Sequence, residues 1–382
     1  MLPSQRALFD IPRDVCYMNA ASWGPVPLAA QEAARAAVAR KARPWELSPD
    51  LAATQHERAR AAAARLINAD PDDVALISSV SYGVATAAKA LPVPAGARVV
   101  VLQDDHSSPV LEWISRAPAQ GFTVEAIPQP PDGDWTSAVL AGIERRDAAP
   151  VALASMSSVH WSDGCVIDLQ AVAGALRRQG AALLVDATHH AGVLPVDVRT
   201  LDPDFLVFPT YKWVLGPYGR AFLYVAKRWQ SGVPLEQTSA GRQAINSAQA
   251  PYLRDLAYVA DARRFDMGER DHFISLEMAA IGMEMIAAWG VAAITERLRV
   301  LTGRLAEQLR TATVRFPDAR MRAPHVLSLG FPDGMPSRLA ERLAARKVFA
   351  APRLGRLRIS PHVYNDEEDV DRFAAIFRRE TG

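Results

Sequence analysis

From Asp73 onward the chain alternates short, almost wholly apolar runs with stretches of helical spacing. The runs are "DVALISS", "ARVVVLQ", "FTVEAIP", "VALASMS", "AALLVDA", "DFLVFPT" and "AFLYVA". Strands alternating with helices imply crossover connections, so the pattern predicts a largely parallel sheet sandwiched by helices. The helix "IDLQAVAGALRRQG" shows this well, with Gly180 as its closing residue. Before the sheet region, residues 26–66 are alanine- and arginine-rich with helical periodicity, interrupted at "ARPWELSP". After about Arg270 the texture changes. A long helical stretch is expected from Ser275 to about Thr313, then "HVLSLGF", a helix from Ser337, "RLRIS" and an amphipathic end from Asp366. The predicted fold is α/β: an N-terminal segment over residues 1–20, a large sheet domain over 21–265 and a smaller α+β domain over 266–382.

Composition narrows the class of partner. The 382 residues are 49% hydrophobic and 22% charged, enough for a large core. Lys and Arg number 43 against 42 Asp and Glu, a net charge of +1, so no global field recruits nucleic acid or an anionic membrane. A small molecule is the expected partner. Cys16 and Cys165 are the only cysteines, which argues against a disulfide framework or a cysteine-based zinc site and fits a reducing compartment. The start has no apolar core of signal-peptide length and no later run approaches a membrane span, so the expected location is cytoplasmic.

In open parallel sheets ligands bind beyond the carboxyl ends of the strands, and three such ends carry polar residues. In "ALISSVSYGVATAAKAL" a strand runs into Ser78, Ser79 and Ser81 and a helix follows at once. That is either a phosphate site at a helix N-terminus or a serine cap with no ligand. In "LLVDATHHAG", Asp186 ends an apolar strand, where a carboxylate is costly unless it meets a cation or a proton donor. His189 could donate to the same ligand; a helix cap, an ion pair or a metal-binding pair are the other readings, though no third ligand with zinc-like spacing appears nearby. In "DFLVFPTYKWVLGPYG", Lys212 stands between a buried strand and a turn, and a buried ammonium needs a partner or a chemical task. Lysine, aspartate and a phosphate-binding helix start on neighbouring strand ends are the parts that hold pyridoxal 5'-phosphate. The lysine amine forms a Schiff base, the aspartate keeps the pyridine nitrogen protonated and the helix start holds the phosphate.

With these parts in order, the chain resembles the fold type I pyridoxal-phosphate enzymes, specifically the class V aminotransferase superfamily with its desulfurase, kynureninase, epimerase and carbon-sulfur lyase branches. "YMNAASWGPVP" resembles the segment near the substrate, which implies a substrate role for Asn19. "SSVSYGVATAAKAL" resembles the phosphate loop, implying contacts from Val80 and Ser81; Tyr82 and Ala85 replace that pattern's glutamate and asparagine. "DDHSSPVLEW" puts His106 where an aromatic stacks on the ring, and "SSVHWSDG" puts Trp161 nearby. "DATHHAG" matches "DxxHxxG", implying Asp186 at the pyridine nitrogen and His189 at the ring oxygen. "TYKW" implies Thr210 toward the phosphate, Tyr211 beside the substrate, a kynureninase-like choice, and Lys212 as the imine lysine. "RRFDMGERD" resembles a segment whose threonine reaches the partner subunit's phosphate across a homodimer; Glu269 replaces it, with Arg270 available to compensate. "RLRISPHVYNDEEDVDRF" implies Arg358 as the clamp for the substrate α-carboxylate.

The resemblance implies an enzyme acting on an amino acid through α-carbanion chemistry, with aminotransferase first and lyase or epimerase second. Persulfide-forming desulfurase chemistry is disfavoured because the C-terminal region has no cysteine. A catalytically silent relative or an interaction protein stays as the reading of another class, against which Lys212, Asp186 and Arg358 together argue.

Overall fold

The computed structural model describes residues 2–243, 256–310 and 313–381. Its strands are β1 (Cys16–Tyr17), β2 (Val74–Ile77), β3 (Arg98–Leu102), β4 (Thr123–Ile127), β5 (Val151–Ser157), β6 (Ala182–Asp186), β7 (Phe205–Pro209), β8 (Ala221–Val225), β9 (Leu327–Leu329), β10 (Val348–Phe349), β11 (Ala351–Arg353) and β12 (Arg356–Ile359). Its helices are α1 (Leu28–Lys41), α2 (Pro49–Ile67), α3 (Val80–Ala90), α4 (Ser107–Gln120), α5 (Trp135–Ile143), α6 (Leu169–Gln179), α7 (Val198–Leu201), α8 (Phe273–Trp289), α9 (Val291–Gln308), α10 (Leu339–Ala345) and α11 (Glu367–Thr381).

All seven apolar runs form one sheet, in the order β2-β8-β7-β6-β5-β3-β4. Successive residues go to opposite cores: Val100 and Leu102 to one, Val99 and Val101 to the other, and likewise Leu206 and Phe208 against Phe205 and Val207. Both faces are covered across β2, β3, β7 and β8, which is why those runs are apolar throughout instead of alternating, whereas the edge strand β4 is partly exposed and carries Thr123 and Glu125. Only β8 runs antiparallel to its neighbours β2 and β7. Its first residues therefore arrive at the edge where the parallel strands end.

The long helical stretch expected from Ser275 to about Thr313 is divided between two helices, α8 and α9. Gly290, at φ +80°, breaks them and α9 turns 78° away from α8. Helical periodicity persists on both sides of such a break, so the apolar pattern hides it; residues 311 and 312 lie outside the described residues. No single described helix is long and apolar enough to cross a membrane. The segment leading into α8 is tied to the sheet by Asp266, which pairs with the buried Arg60 at 2.8 Å and accepts from the Leu76 N–H at 2.8 Å.

The N-terminal residues lie against the C-terminal part of the chain. β1 pairs in parallel with β10, Asn19 bridges to Ser360, and Arg6 pairs with Asp369. Beyond them, the Gly24 N–H donates to the Tyr211 carbonyl at 2.8 Å. A Cβ on Gly24 would stand 2.0 Å from the Lys212 carbonyl oxygen, so only glycine lets the segment come this close. β9, β11 and β12 form a separate antiparallel sheet in the order β11-β12-β9. Three distant stretches thus meet at one edge of the large sheet: Ser22 and Trp23, the ends of the parallel strands, and the β11–β12 hairpin.

Candidate active site

Two adjoining chambers open at this edge and share Lys212, His106, Tyr211 and Tyr218. The inner one, about 210 Å³, runs from Asp186 to the starts of α3 and α4; the outer one, about 510 Å³, reaches Arg358.

Lys212 stands at their junction, just past β7. It is 7% exposed and forms no ion pair with a described residue; its Nζ lies 3.3 Å from His189 Nε2. Burial, followed by the charge of Arg358, lowers its pKa from 10.5 to about 7, with Asp186 acting in the other direction. At neutral pH much of this side chain is a free amine.

His189 is oriented from behind. The indole Nε1 of Trp213 donates to His189 Nδ1 at 3.0 Å, and an indole nitrogen can only donate. Burial holds the imidazole well below its ordinary value, so it is neutral and its one proton sits on Nε2, facing the lysine amine. Asp186, 3% exposed at the end of β6, accepts from the Thr188 N–H at 2.9 Å through Oδ1 and borders the inner chamber; no described group donates to its Oδ2.

His106 precedes α4 and borders both chambers. Its backbone N–H donates to Asp105 Oδ1 at 2.7 Å, and that carboxylate also accepts from the backbone N–H and the hydroxyl of Ser157. Burial, then the charge of Lys212, lowers the His106 pKa, which leaves a neutral ring edge-on to Trp161 at 5.9 Å. Trp161 is held by its Nε1, which donates to the Asp104 carbonyl at 2.7 Å, and it lines the outer chamber.

At the far end of the inner chamber two helices begin. Val80 and Ser81 of α3 face Ser107 and Ser108 of α4, and the Ser81 and Ser108 hydroxyls are 3.1 Å apart. Free N–H groups at two helix starts, with hydroxyls between them, suit an anion. Arg220, at the start of β8, lines the same end. It is 3% exposed, donates Nε to Ser275 Oγ at 2.7 Å and NH1 to Met267 Sδ at 3.5 Å, and has no ion-pair partner among the described residues. Burial lowers its pKa to about 10, so it stays charged at neutral pH.

The other expected site residues divide between the chambers and the turns around them. The Thr210 hydroxyl donates to the carbonyls of Pro217 and Arg220 and lines neither chamber; it closes the turn that carries Lys212. Asn19 lines neither chamber, while Ser22 and Trp23 of the same segment line the outer one. Glu269 is exposed with φ +51°, and Arg270 pairs with Asp266. Tyr211 borders both chambers, and Arg358 lines the outer one at 1% exposure. Cys16 and Cys165 are buried, with thiols pushed up by burial, and border neither chamber. Among the described residues no cluster of three or more His, Cys, Asp or Glu side chains could hold a metal ion.

Sequence reasoning missed Arg220, Arg353, Trp213 and Ser22. The one available signal was a charged residue opening an otherwise apolar strand in "GRAFLYV".

Comparison with known proteins identifies the family and the fold. The family profile described as "Aminotransferase class-V" matches residues 33–373. An uncharacterized aminotransferase of Bacillus subtilis, YcbU, is 31% identical over 316 residues, 82% of this chain and 80% of that protein. The isopenicillin N epimerase of Streptomyces clavuligerus is 27% identical over 387 residues, 96% of this chain and 95% of that one. Among solved structures, the apo cysteine desulfurase of Thermococcus onnurineus superposes with TM-score 0.84 at 20% identity, covering 98% and 96% of the two chains. The cystine C-S lyase C-DES, in complex with cysteine persulfide, superposes with TM-score 0.85 at 18% identity, covering 96% and 97%. At these identities the two structures speak for the shared fold alone.

Proposed function

Since the chain belongs to the class V aminotransferase family, a family of pyridoxal-phosphate-dependent enzymes acting on amino acids, we propose that its two chambers divide the work between cofactor and substrate. The inner chamber takes pyridoxal 5'-phosphate and the outer one the amino acid. The observation that carries this reading is Lys212: a buried lysine with no ion-pair partner among the described residues, placed where the chambers join, its pKa lowered by burial to about 7. Bound there, the cofactor supplies an aldehyde for an amine to join and a ring that accepts the electron pair left when a bond at the substrate Cα breaks.

The chain's own residues account for the rest. Lys212 is the nucleophile that anchors the aldehyde and, when released, the base that takes the Cα proton and returns it. Asp186 holds a proton on the pyridine nitrogen. His189 donates its Nε2–H toward the ring oxygen, in the tautomer Trp213 imposes. His106 covers the ring face and excludes water from it. Val80, Ser81, Ser108 and Arg220 hold the phosphate, and Arg358 holds the α-carboxylate.

Transamination is the first outcome of this reading and β-elimination by a lyase the second. Persulfide formation on an enzyme thiol lacks support, because neither cysteine borders the site. The remaining parts of the proposal are a homodimer and a cytoplasmic location. Trp23 and Tyr218, 57% and 64% exposed and stacked at 5.0 Å on the rim of the outer chamber, support a second copy covering that rim. Two unpaired cysteines fit a reducing compartment.

Purified protein should be yellow. Incubation with a panel of amino acids should yield a keto acid with pyridoxamine phosphate for a transaminase, or pyruvate with ammonia for a lyase. A protein that stays colourless and binds no pyridoxal phosphate would end this assignment.

Two further results are expected. Uptake of the cofactor by apoprotein should quicken as pH rises toward 7, by about tenfold per unit, and level off above it, because only the free amine attacks. Stopped-flow absorbance between pH 5.5 and 9 reads this; an inflection near the ordinary lysine value would contradict the placement of Lys212. Arg220→Met should weaken pyridoxal phosphate about 10- to 100-fold, the worth of a charged hydrogen bond. Binding of pyridoxal, which lacks the phosphate, should hardly change. Equal losses for both compounds in equilibrium dialysis would show that Arg220 acts on something else.

A further inference from the structure

The outer chamber carries more positive charge than one α-carboxylate can satisfy. Arg353 and Arg358 both donate to the hydroxyl of Ser22, at 2.8 and 3.0 Å. One oxygen touching two guanidiniums makes them close neighbours. Arg358 spends NH1 on the Trp161 carbonyl at 2.7 Å, and its Nε is buried with no partner. Arg353 is half-buried, donates NH1 to the Pro352 carbonyl and lies 5.9 Å over the Trp161 ring. Neither has an ion-pair partner among the described residues, and no Asp or Glu lines this chamber.

Arg220 faces the phosphate end of the inner chamber and Arg297 donates to the carbonyls of Leu2 and Asn365, whereas two other buried arginines are matched by carboxylates. Arg60 has Asp266, and Arg98 has Glu125. Two like charges drawn out of water repel each other, and burial lowers the pKa of both. An anion arriving from outside relieves that arrangement. A single carboxylate neutralises one guanidinium and leaves the other beside it uncompensated.

Building on the function proposed above, we propose that the substrate is an acidic amino acid: Arg358 takes its α-carboxylate and Arg353 a second carboxylate on a short side chain. The closeness of the two guanidiniums limits the span to a few carbons. Ser22 is the spacer that keeps them side by side, and the Trp161 ring supports Arg353 at the mouth. Placed so, Arg353 is a specificity residue: it sees only the part of the substrate that differs between an acid and its amide.

The test uses the holoenzyme and two isosteric pairs, L-glutamate with L-glutamine and L-aspartate with L-asparagine, titrated while the cofactor absorption is followed. The acids should bind about 10- to 100-fold more tightly than the amides, as expected for a charge-assisted bidentate contact. In Arg353→Met that ratio should collapse toward one through weaker binding of the acids alone, and Arg353→Lys should restore part of it. Equal binding of acids and amides by the native protein overturns the proposal. So does an Arg353→Met variant that loses both alike, which is what two arginines on a single α-carboxylate would produce. In both cases the cofactor still responds to amino acids and the reaction class stands, whereas no response to any amino acid would sink the two readings together.

Discussion

Lys212→Ala should lose turnover by at least about 10⁴-fold, the upper end of what positioned acid–base catalysis supplies, because the same amine both anchors the cofactor and moves the Cα proton. Borohydride should fix the mass of the reduced cofactor on the Lys212 peptide of the native protein and leave the variant unlabelled. Loss of fold does not explain such a result, and linkage says why. The native pKa of about 7 lies below the ordinary 10.5, so over that interval the unfolded chain binds the extra proton and the native state does not. The cost of burying this lysine is therefore full below pH 7 and fades as pH rises to about 10.5. The variant apoprotein should accordingly melt no lower than the native apoprotein, with its relative advantage greatest at low pH. A variant that melts well below native at pH 6, or that keeps cofactor attachment to another lysine, would remove Lys212 from the role given to it.

Asp186→Asn should cost on the order of 10² to 10³ in turnover, the range seen when one preorganised electrostatic partner is removed, while the cofactor stays bound. The carboxylate is buried at the end of β6, its Oδ1 occupied by the Thr188 N–H and its Oδ2 left for the chamber. An amide of the same shape keeps the first contact but cannot stabilise a positive charge at the ring nitrogen, so the ring accepts electrons poorly. The spectrum of the bound cofactor should change, and Cα–H exchange in deuterated water should slow in proportion to turnover. A variant with native exchange rates would place the nitrogen's partner elsewhere.

The separation of legible from illegible follows from how each residue is positioned. Asp186 and Lys212 could be read because each ends an apolar run that can only be a buried strand, and a charged group at such an end has few harmless explanations. The serines after β2 read by themselves as a helix cap, which Ser79 is, and only their place in the series of resembling motifs pointed to a phosphate. Thr210 occupies the expected position, yet its hydroxyl turns to the Pro217 carbonyl, a choice made by the turn and not by residue type. Arg220 was invisible to a search of strand C-termini because it stands at an N-terminus. It reaches the site only because β8 runs against its neighbours, and strand direction is a property of pairing. Gly290 breaks a helix whose apolar spacing continues undisturbed on either side.

What the chain determines by itself is local: which stretches are strands, that both faces of the sheet are covered, and which strands end in chemistry. These depend on the rhythm of apolar positions and on the cost of burying charge, both of which act within a few residues. What the tertiary structure alone decides is which distant groups meet. Trp213 sets the proton on His189, Arg220 arrives on an antiparallel strand, and the pairing of β1 with β10 brings Ser22 between Arg353 and Arg358. Each of these depends on contacts between segments far apart in the chain, so no local pattern can encode it.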